Sequence, residues 1–144
     1  MNEFEDKYQH EAEPWAADSE KYQPLYDKII SLAIAHTKKN TIACDVACGT
    51  GWFTKKIAEK FDVVVGIDVS ETAIRRAKFI NGIDNISYQA IDAFDYNFNQ
   101  QAWDVIFINE LMYYYTPIEN KKLIGKIAEC LDKDGILIVS IKEM

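Results

Sequence analysis

The stretch Thr41-Ile42-Ala43-Cys44-Asp45-Val46-Ala47-Cys48-Gly49-Thr50-Gly51 decides how the rest of the chain is read. A short apolar run ends in a turn that carries two glycines, and Phe53, Ile57 and Phe61 then follow at helical spacing. That order, strand, glycine turn, helix, begins a crossover unit of a parallel sheet. The pattern then repeats. Phe61 to Asp68 is a β-branched run ending in an acid, and Ser70 with Glu71 opens a helix through Ile80 that Asn81-Gly82 breaks. Ile86 to Asp92 alternates as a third strand, and polar residues from Asp95 to Gln101 form a loop. Asp104 to Ile108 reads as a fourth strand, apolar enough to be covered on both faces. Pro117 opens a helix bearing Leu123, Ile124, Ile127 and Leu131, Asp132-Lys133-Asp134-Gly135 reads as a turn, and Ile136 to Ile141 is a fifth strand.

Strands alternating with helices predict a doubly wound α/β domain: a mostly parallel sheet of about five strands, with helices on both faces. The whole chain, 1–144, fits one domain, with residues 1–39 as an N-terminal helical segment and 40–144 as the α/β core. In the N-terminal part, Tyr22, Leu25, Ile29, Leu32 and His36 recur at helical steps between Pro14 and Lys39. Pro24 either splits that stretch or opens its second helix.

Composition narrows the function. Lys and Arg total 16 against 23 Asp and Glu, for a formal net charge of −7. Such a balance argues against nucleic acid, whose binding depends on cations that neutralise phosphates. No apolar run reaches the length of about 18 residues that spans a membrane, and the acidic start lacks a secretory pattern, so a cytoplasmic location is expected. Cys44, Cys48 and Cys130 make neither a disulfide framework nor a metal site with the distant His10 and His36; they read as small packed residues.

Polar groups gather where such sheets bind ligands, at the carboxyl ends of the strands. Asp45 with Gly49 and Gly51 ends the first strand, Asp68 the second, Asp92 the third, and Asn109 with Glu110 the fourth. Glycines let a backbone approach a ligand closely, and an acid at 68 suits the two hydroxyls of a ribose. Both features also serve dinucleotide binding, or in isolation a plain tight turn and a helix cap. Two differences favour another ligand: Thr54 stands where the dinucleotide fingerprint has its third glycine, and Asp45 would repel a pyrophosphate. The same acid attracts a nucleoside carrying an ammonium and a sulfonium, which describes S-adenosylmethionine.

From about residue 40 onward the chain resembles the class I S-adenosylmethionine-dependent methyltransferases. Asp45-Val-Ala-Cys-Gly49-Thr-Gly51 is similar to their acid-x-x-x-G-x-G loop, and Val65-Gly66-Ile67-Asp68-Val69-Ser70 to their ribose motif. Gln89-Ala90-Ile91-Asp92-Ala93-Phe94 is similar to their adenine motif, and Leu131 to Ile138 to their turn into a fifth strand. The resemblance implies a Rossmann-like fold, S-adenosylmethionine as cofactor, and binding by Asp45, Ala47, Gly49, Gly51, Asp68, Val69, Asp92, Ala93, Phe94 and Asn109. Glu13-Pro14-Trp15, Ser19, Tyr22 and the run Asn109 to Tyr115 resemble the nodulation protein S-like N-methyltransferases. That narrower likeness implies methyl transfer to a small-molecule amine by in-line displacement, with no metal. Glu110 and Tyr113 would position the acceptor, and Trp15 and Tyr22 would close over the cofactor.

The family usually adds two strands after the fifth. A strand at Ile136 to Val139 would then stand at an apolar edge, expected to be covered in a homodimer. A cofactor-binding module without turnover is the alternative to an enzyme.

Overall fold

The computed structural model describes residues 2–141. Five parallel strands form one sheet: β1 Ile42–Val46, β2 Val63–Asp68, β3 Ile86–Ala90, β4 Trp103–Asn109 and β5 Leu131–Ser140, in the order β3-β2-β1-β4-β5. The strand order reverses between β1 and β4, which pair from Ala43 with Val105 to Val46 with Ile108. A crevice at the carboxyl ends of the strands opens at that point.

Five α-helices accompany the sheet: α1 Glu3–His10, α2 Gln23–His36, α3 Trp52–Ile57, α4 Glu71–Ile80 and α5 Pro117–Cys130. Their starts follow from local chemistry. The Ser70 side chain accepts from the Ala73 amide and caps α4. Thr116 and Glu119 form a reciprocal capping box on α5, with Pro117 in its first turn. Likewise Pro24 sits in the first turn of α2, the second of the two places open to it.

Each face of the sheet has its own core. On one, Ile29, Ile30 and Ala33 of α2 pack with Phe53 and Ile57 of α3 against Ala43, Val64, Val105 and Phe107. Fully burying one such isoleucine contributes about 1.5–3 kcal/mol. On the other, Leu123 and Ile127 of α5 pack with Trp103, Ile106 and Ile108. The outermost strand, β5, is covered on both faces, since Ile136 and Ile138 join the first core and Leu137 and Val139 the second.

Three expectations need correction. The helical stretch from Pro14 breaks into turns and a short 3-10 segment, Glu20–Tyr22, before α2 begins. Helix α1 has no counterpart in the sequence reading. Asp132 to Gly135 is not a turn but part of β5, with a register irregularity opposite Trp103 and Val105. Gly135 lies so close beneath the Trp103 carbonyl that a Cβ would come within 2.6 Å of it. Pairing with β4 therefore overrides the turn preference of Asp-Lys-Asp-Gly.

Among the described residues no helix is long and apolar enough to cross a membrane. No group of His, Cys, Asp and Glu among them is suited to hold a metal ion.

Candidate functional site

The loop after β1 is shaped by left-handed backbone at Ala47 (φ 64°), Gly49 (φ 56°) and Gly51 (φ 87°). The Cys48 amide donates to the Ile67 carbonyl (2.9 Å), which folds the loop back over β2. Asp68 completes the arrangement. Its two carboxylate oxygens accept from the Gly49 amide and the Ser70 amide, each at 2.9 Å. One side chain thus ties the end of β2 to the glycine loop and to the start of α4. Burial pushes its carboxyl up to about 6, against the pull of those two amides. Each oxygen keeps a further lone pair for a ligand hydroxyl.

Asp45 is 2% exposed and accepts a 2.7 Å hydrogen bond from the Thr54 hydroxyl. Its carboxyl is pushed up to about 7, mainly by burial and further by the Asp68 charge, while Thr54 lowers it. Thr54 occupies the position of the missing third glycine. It is there as a donor, replacing close helix packing with a hydrogen bond that aims the acid.

On the other side of the strand reversal, β4 ends in Asn109 and Glu110. Glu110, like Ala47, is a non-glycine residue in the left-handed region, at φ 58°. Each such conformation costs about 1–2 kcal/mol, and both residues line the same cavity at the strand ends. Ser140 of β5 holds this end: its carbonyl accepts from the Glu110 amide and its hydroxyl donates to Asn109 Oδ1, both at 2.9 Å.

The N-terminal segment lies over these loops. Phe4 and Tyr8, one turn apart on α1, pack tilted against Trp15 at centroid distances of 5.9 and 5.4 Å, and Trp15 Nε1 donates to the Tyr114 hydroxyl at 2.9 Å. Polar links fasten the segment. Glu5 accepts from the Ser70 hydroxyl (3.0 Å) and the Thr72 amide (2.8 Å) at the start of α4. Glu13 accepts from the Thr50 hydroxyl (2.6 Å) and Trp52 Nε1 (3.1 Å), and Arg76 donates to the Glu11 and Ala12 carbonyls (2.8 and 3.1 Å).

Between segment and sheet lies a cavity of about 900 Å³. Asp45, Ala47, Gly49, Asp68, Asn109, Glu110, Tyr113, Trp15 and Tyr22, all singled out from the sequence, line it. A smaller space of about 40 Å³ adjoins Asp68, Val69, Asp92 and Ala93, and Phe4 walls both. Gly51 and Phe94 stand outside both walls. Gly51 accommodates the Tyr88 hydroxyl and Asn81, while the Phe94 ring meets Tyr115 edge-on and its amide donates to Asp92 Oδ1. Phe4 and Tyr8 were missed by the sequence reading; their spacing of four residues ahead of Trp15 was the available signal.

The chain is similar to known proteins. A family profile described as a methyltransferase domain matches residues 37–142. Phosphoethanolamine N-methyltransferase 1 of Triticum aestivum is 27% identical over 112 residues, covering 75% of this chain and 22% of that protein. Carboxy-S-adenosyl-L-methionine synthase of Nautilia profundicola is 30% identical over 126 residues, covering 83% of this chain and 53% of that protein. The chain therefore spans about half the length or less of these curated relatives. Among solved structures, the N-methyltransferase NodS from Bradyrhizobium japonicum WM9 in complex with S-adenosyl-L-homocysteine has a TM-score of 0.79 at 21% identity. That match covers 96% of this chain and 72% of that one.

Proposed function

Since the chain belongs to the S-adenosylmethionine-dependent methyltransferase family, we propose that it transfers the cofactor's methyl group to a small-molecule amine. The observation that carries this reading is the pairing of two buried acids, Asp45 and Asp68, around one glycine loop in a cavity that continues to Glu110. The donor set suits the cofactor: acids for its ammonium and sulfonium, lone pairs on Asp68 for its ribose, and a Cβ-free approach at Gly49. Bound there, the cofactor supplies an activated methyl on a neutral leaving group, so no nucleophilic side chain is required.

The protein's part is to hold the reacting groups in line and to keep water out. Asp68 grips the ribose while keeping the glycine loop in place, and Asp45 faces the positive end of the ligand. Val69, Asp92 and Ala93 receive the adenine. The space beside them is walled on one side by Phe4 of α1. Glu110 and Tyr113 orient the acceptor, and Glu110 takes up the proton that the amine must lose before it attacks. An amine acceptor is supported by the relatives, two of which carry N-methyl transfer in their names. The outer edge of β5 pairs with a second copy in this reading, which sizing by light scattering tests.

Calorimetric titration with S-adenosylmethionine, S-adenosylhomocysteine and NAD tests the assignment on wild type, Asp45→Asn and Asp68→Ala. The reading expects micromolar binding of the first two ligands, weakened in both variants, and none of NAD. Binding of NAD alone would sink it. Cofactor binding without methylation of any amine would leave a binding module.

A further inference from the structure

The hydroxyl of Tyr8 is a donor in the wall of the large cavity with no acceptor among the described residues. Tyr8 is only 6% exposed and lines that wall together with Gly49 and Asp68. A buried tyrosine hydroxyl ordinarily finds a partner. Two others in the same wall do: Tyr26 donates to the Ala17 carbonyl at 3.0 Å, and Tyr114 accepts from Trp15 Nε1 at 2.9 Å. Burial, and after it the charge of Asp68, push the Tyr8 hydroxyl up, so it keeps its proton at neutral pH and stays a donor.

Its position is fixed from several sides. The ring packs tilted against Trp15 at a centroid distance of 5.4 Å, and α1 is anchored through Glu5 to the start of α4. The lack of a Cβ at Gly49 admits the hydroxyl, which stands 2.6 Å from the point such an atom would occupy. The amide of the same glycine donates to Asp68 Oδ2 at 2.9 Å. A phenol donor and a carboxylate acceptor thus meet at one residue of the loop.

A ligand group lying between them must accept from the phenol and donate to the acid. A carboxylate accepts but cannot donate, and Asp68 repels it. An ammonium donates but has no lone pair to offer Tyr8. A hydroxyl does both. Resting on the methyltransferase reading above, we infer that Tyr8 is a ligand of the cofactor's ribose: its O–H donates to a ribose hydroxyl oxygen whose own proton is given to Asp68. The N-terminal segment then supplies a binding contact as well as a cover, and the ribose is recognised by a donor and an acceptor at once.

The test is calorimetric titration of the full chain, as wild type and Tyr8→Phe, with four ligands: S-adenosylhomocysteine, its 2′-deoxy and 3′-deoxy analogues, and its decarboxylated analogue. Phenylalanine keeps the ring against Trp15, so the variant removes one oxygen. It is expected to weaken S-adenosylhomocysteine about threefold to tenfold, the range of one hydrogen bond between neutral groups. The same loss is expected for the decarboxylated analogue, which keeps the ribose. On one of the two deoxy analogues wild type and variant should bind alike, within about twofold. Equal binding of S-adenosylhomocysteine by wild type and variant overturns the inference. A loss that persists on both deoxy analogues overturns it too, since general loosening of α1 gives that result. A loss that disappears only on the decarboxylated analogue overturns it by assigning Tyr8 to the cofactor's carboxylate. Failure of the wild type to bind S-adenosylhomocysteine overturns the methyltransferase reading with it.

Discussion

The hydroxyl of Tyr8 stands 2.6 Å from the point that a Cβ on Gly49 would occupy, and no described residue gives that hydroxyl a hydrogen bond. Helix α1 and the glycine loop are thus fitted to each other at a single atom. Gly49 also has a φ of 56°, so a side chain there is opposed both by its own backbone and by α1.

Gly49→Ala is expected to cost about 1–2 kcal/mol from the backbone alone, and to push α1 away from the loop. Tyr8→Phe removes the clashing atom, because the next ring atom lies 3.8 Å from the Cβ position, an ordinary contact. In a double-mutant cycle measured by urea unfolding, the pair should couple by about 0.5 kcal/mol or more. Additive losses would show that α1 does not rest on Gly49 in solution.

Stability and ligand affinity should respond to pH in opposite directions. The carboxyls of Asp45 and Asp68 sit at about 7 and about 6 in the fold, above their ordinary 3.8. Between about pH 4 and 7 the native state therefore binds more protons than the unfolded chain. Their contribution to stability is complete below pH 4 and is lost as pH rises to 7, so the ligand-free protein should be more stable at pH 5.5 than at pH 7.5. Asp45→Asn should flatten that slope. S-adenosylmethionine needs the acid ionised, so its affinity should fall as pH drops below about 7, by at most about tenfold per unit. A wild-type slope unchanged in Asp45→Asn would remove Asp45 as the cause.

Glu5 anchors α1 to α4. Burial pushes its carboxyl up, but the hydrogen bonds from Thr72 and Ser70 outweigh that and hold it below the ordinary range. Glu5→Gln loses the charge at a helix start, an effect of about 0.3–1 kcal/mol. Hydrogen exchange at Tyr8 and its neighbours on α1 should quicken about twofold to fivefold, with amides of β1 and β4 unchanged. Uniform quickening across the sheet would mean a global loss instead.

Glu110→Gln separates acceptor chemistry from cofactor binding. Turnover of an amine acceptor should fall about a hundredfold or more, while the Kd for S-adenosylhomocysteine stays within about threefold. Equal losses in both would mean that Glu110 belongs to the cofactor site.

Much of this molecule was legible in its sequence because strands buried on two faces announce themselves. Val105 to Ile108 is a continuous apolar run and Val63 to Ile67 is nearly one, and the polar residues that follow them, Asn109 with Glu110 and Asp68, fall at the crevice. Ser70 was legible as the cap of α4 but not as a partner of Glu5, and Thr54 as a position but not as a donor to Asp45. Which amide or acid a hydroxyl meets depends on the return of the chain through three dimensions. Helix α1 was not legible, since Glu-Phe-Glu-Asp-Lys-Tyr-Gln-His offers only Phe4 and Tyr8 as an apolar face and gains its place from Glu5, Trp15 and Tyr114. Likewise Asp132 to Gly135 reads locally as a turn, and only the neighbouring strand draws it into β5.

One feature of the N-terminal segment bears on the order of events. Through Glu5 and Glu13 it holds the loops that flank the cofactor, and through Trp15 it holds Tyr114 in the acceptor wall. A single cover thus spans both compartments. Steady-state kinetics should then be sequential, with both reactants held under that cover before the methyl passes. That product should inhibit competitively against S-adenosylmethionine and noncompetitively against the amine.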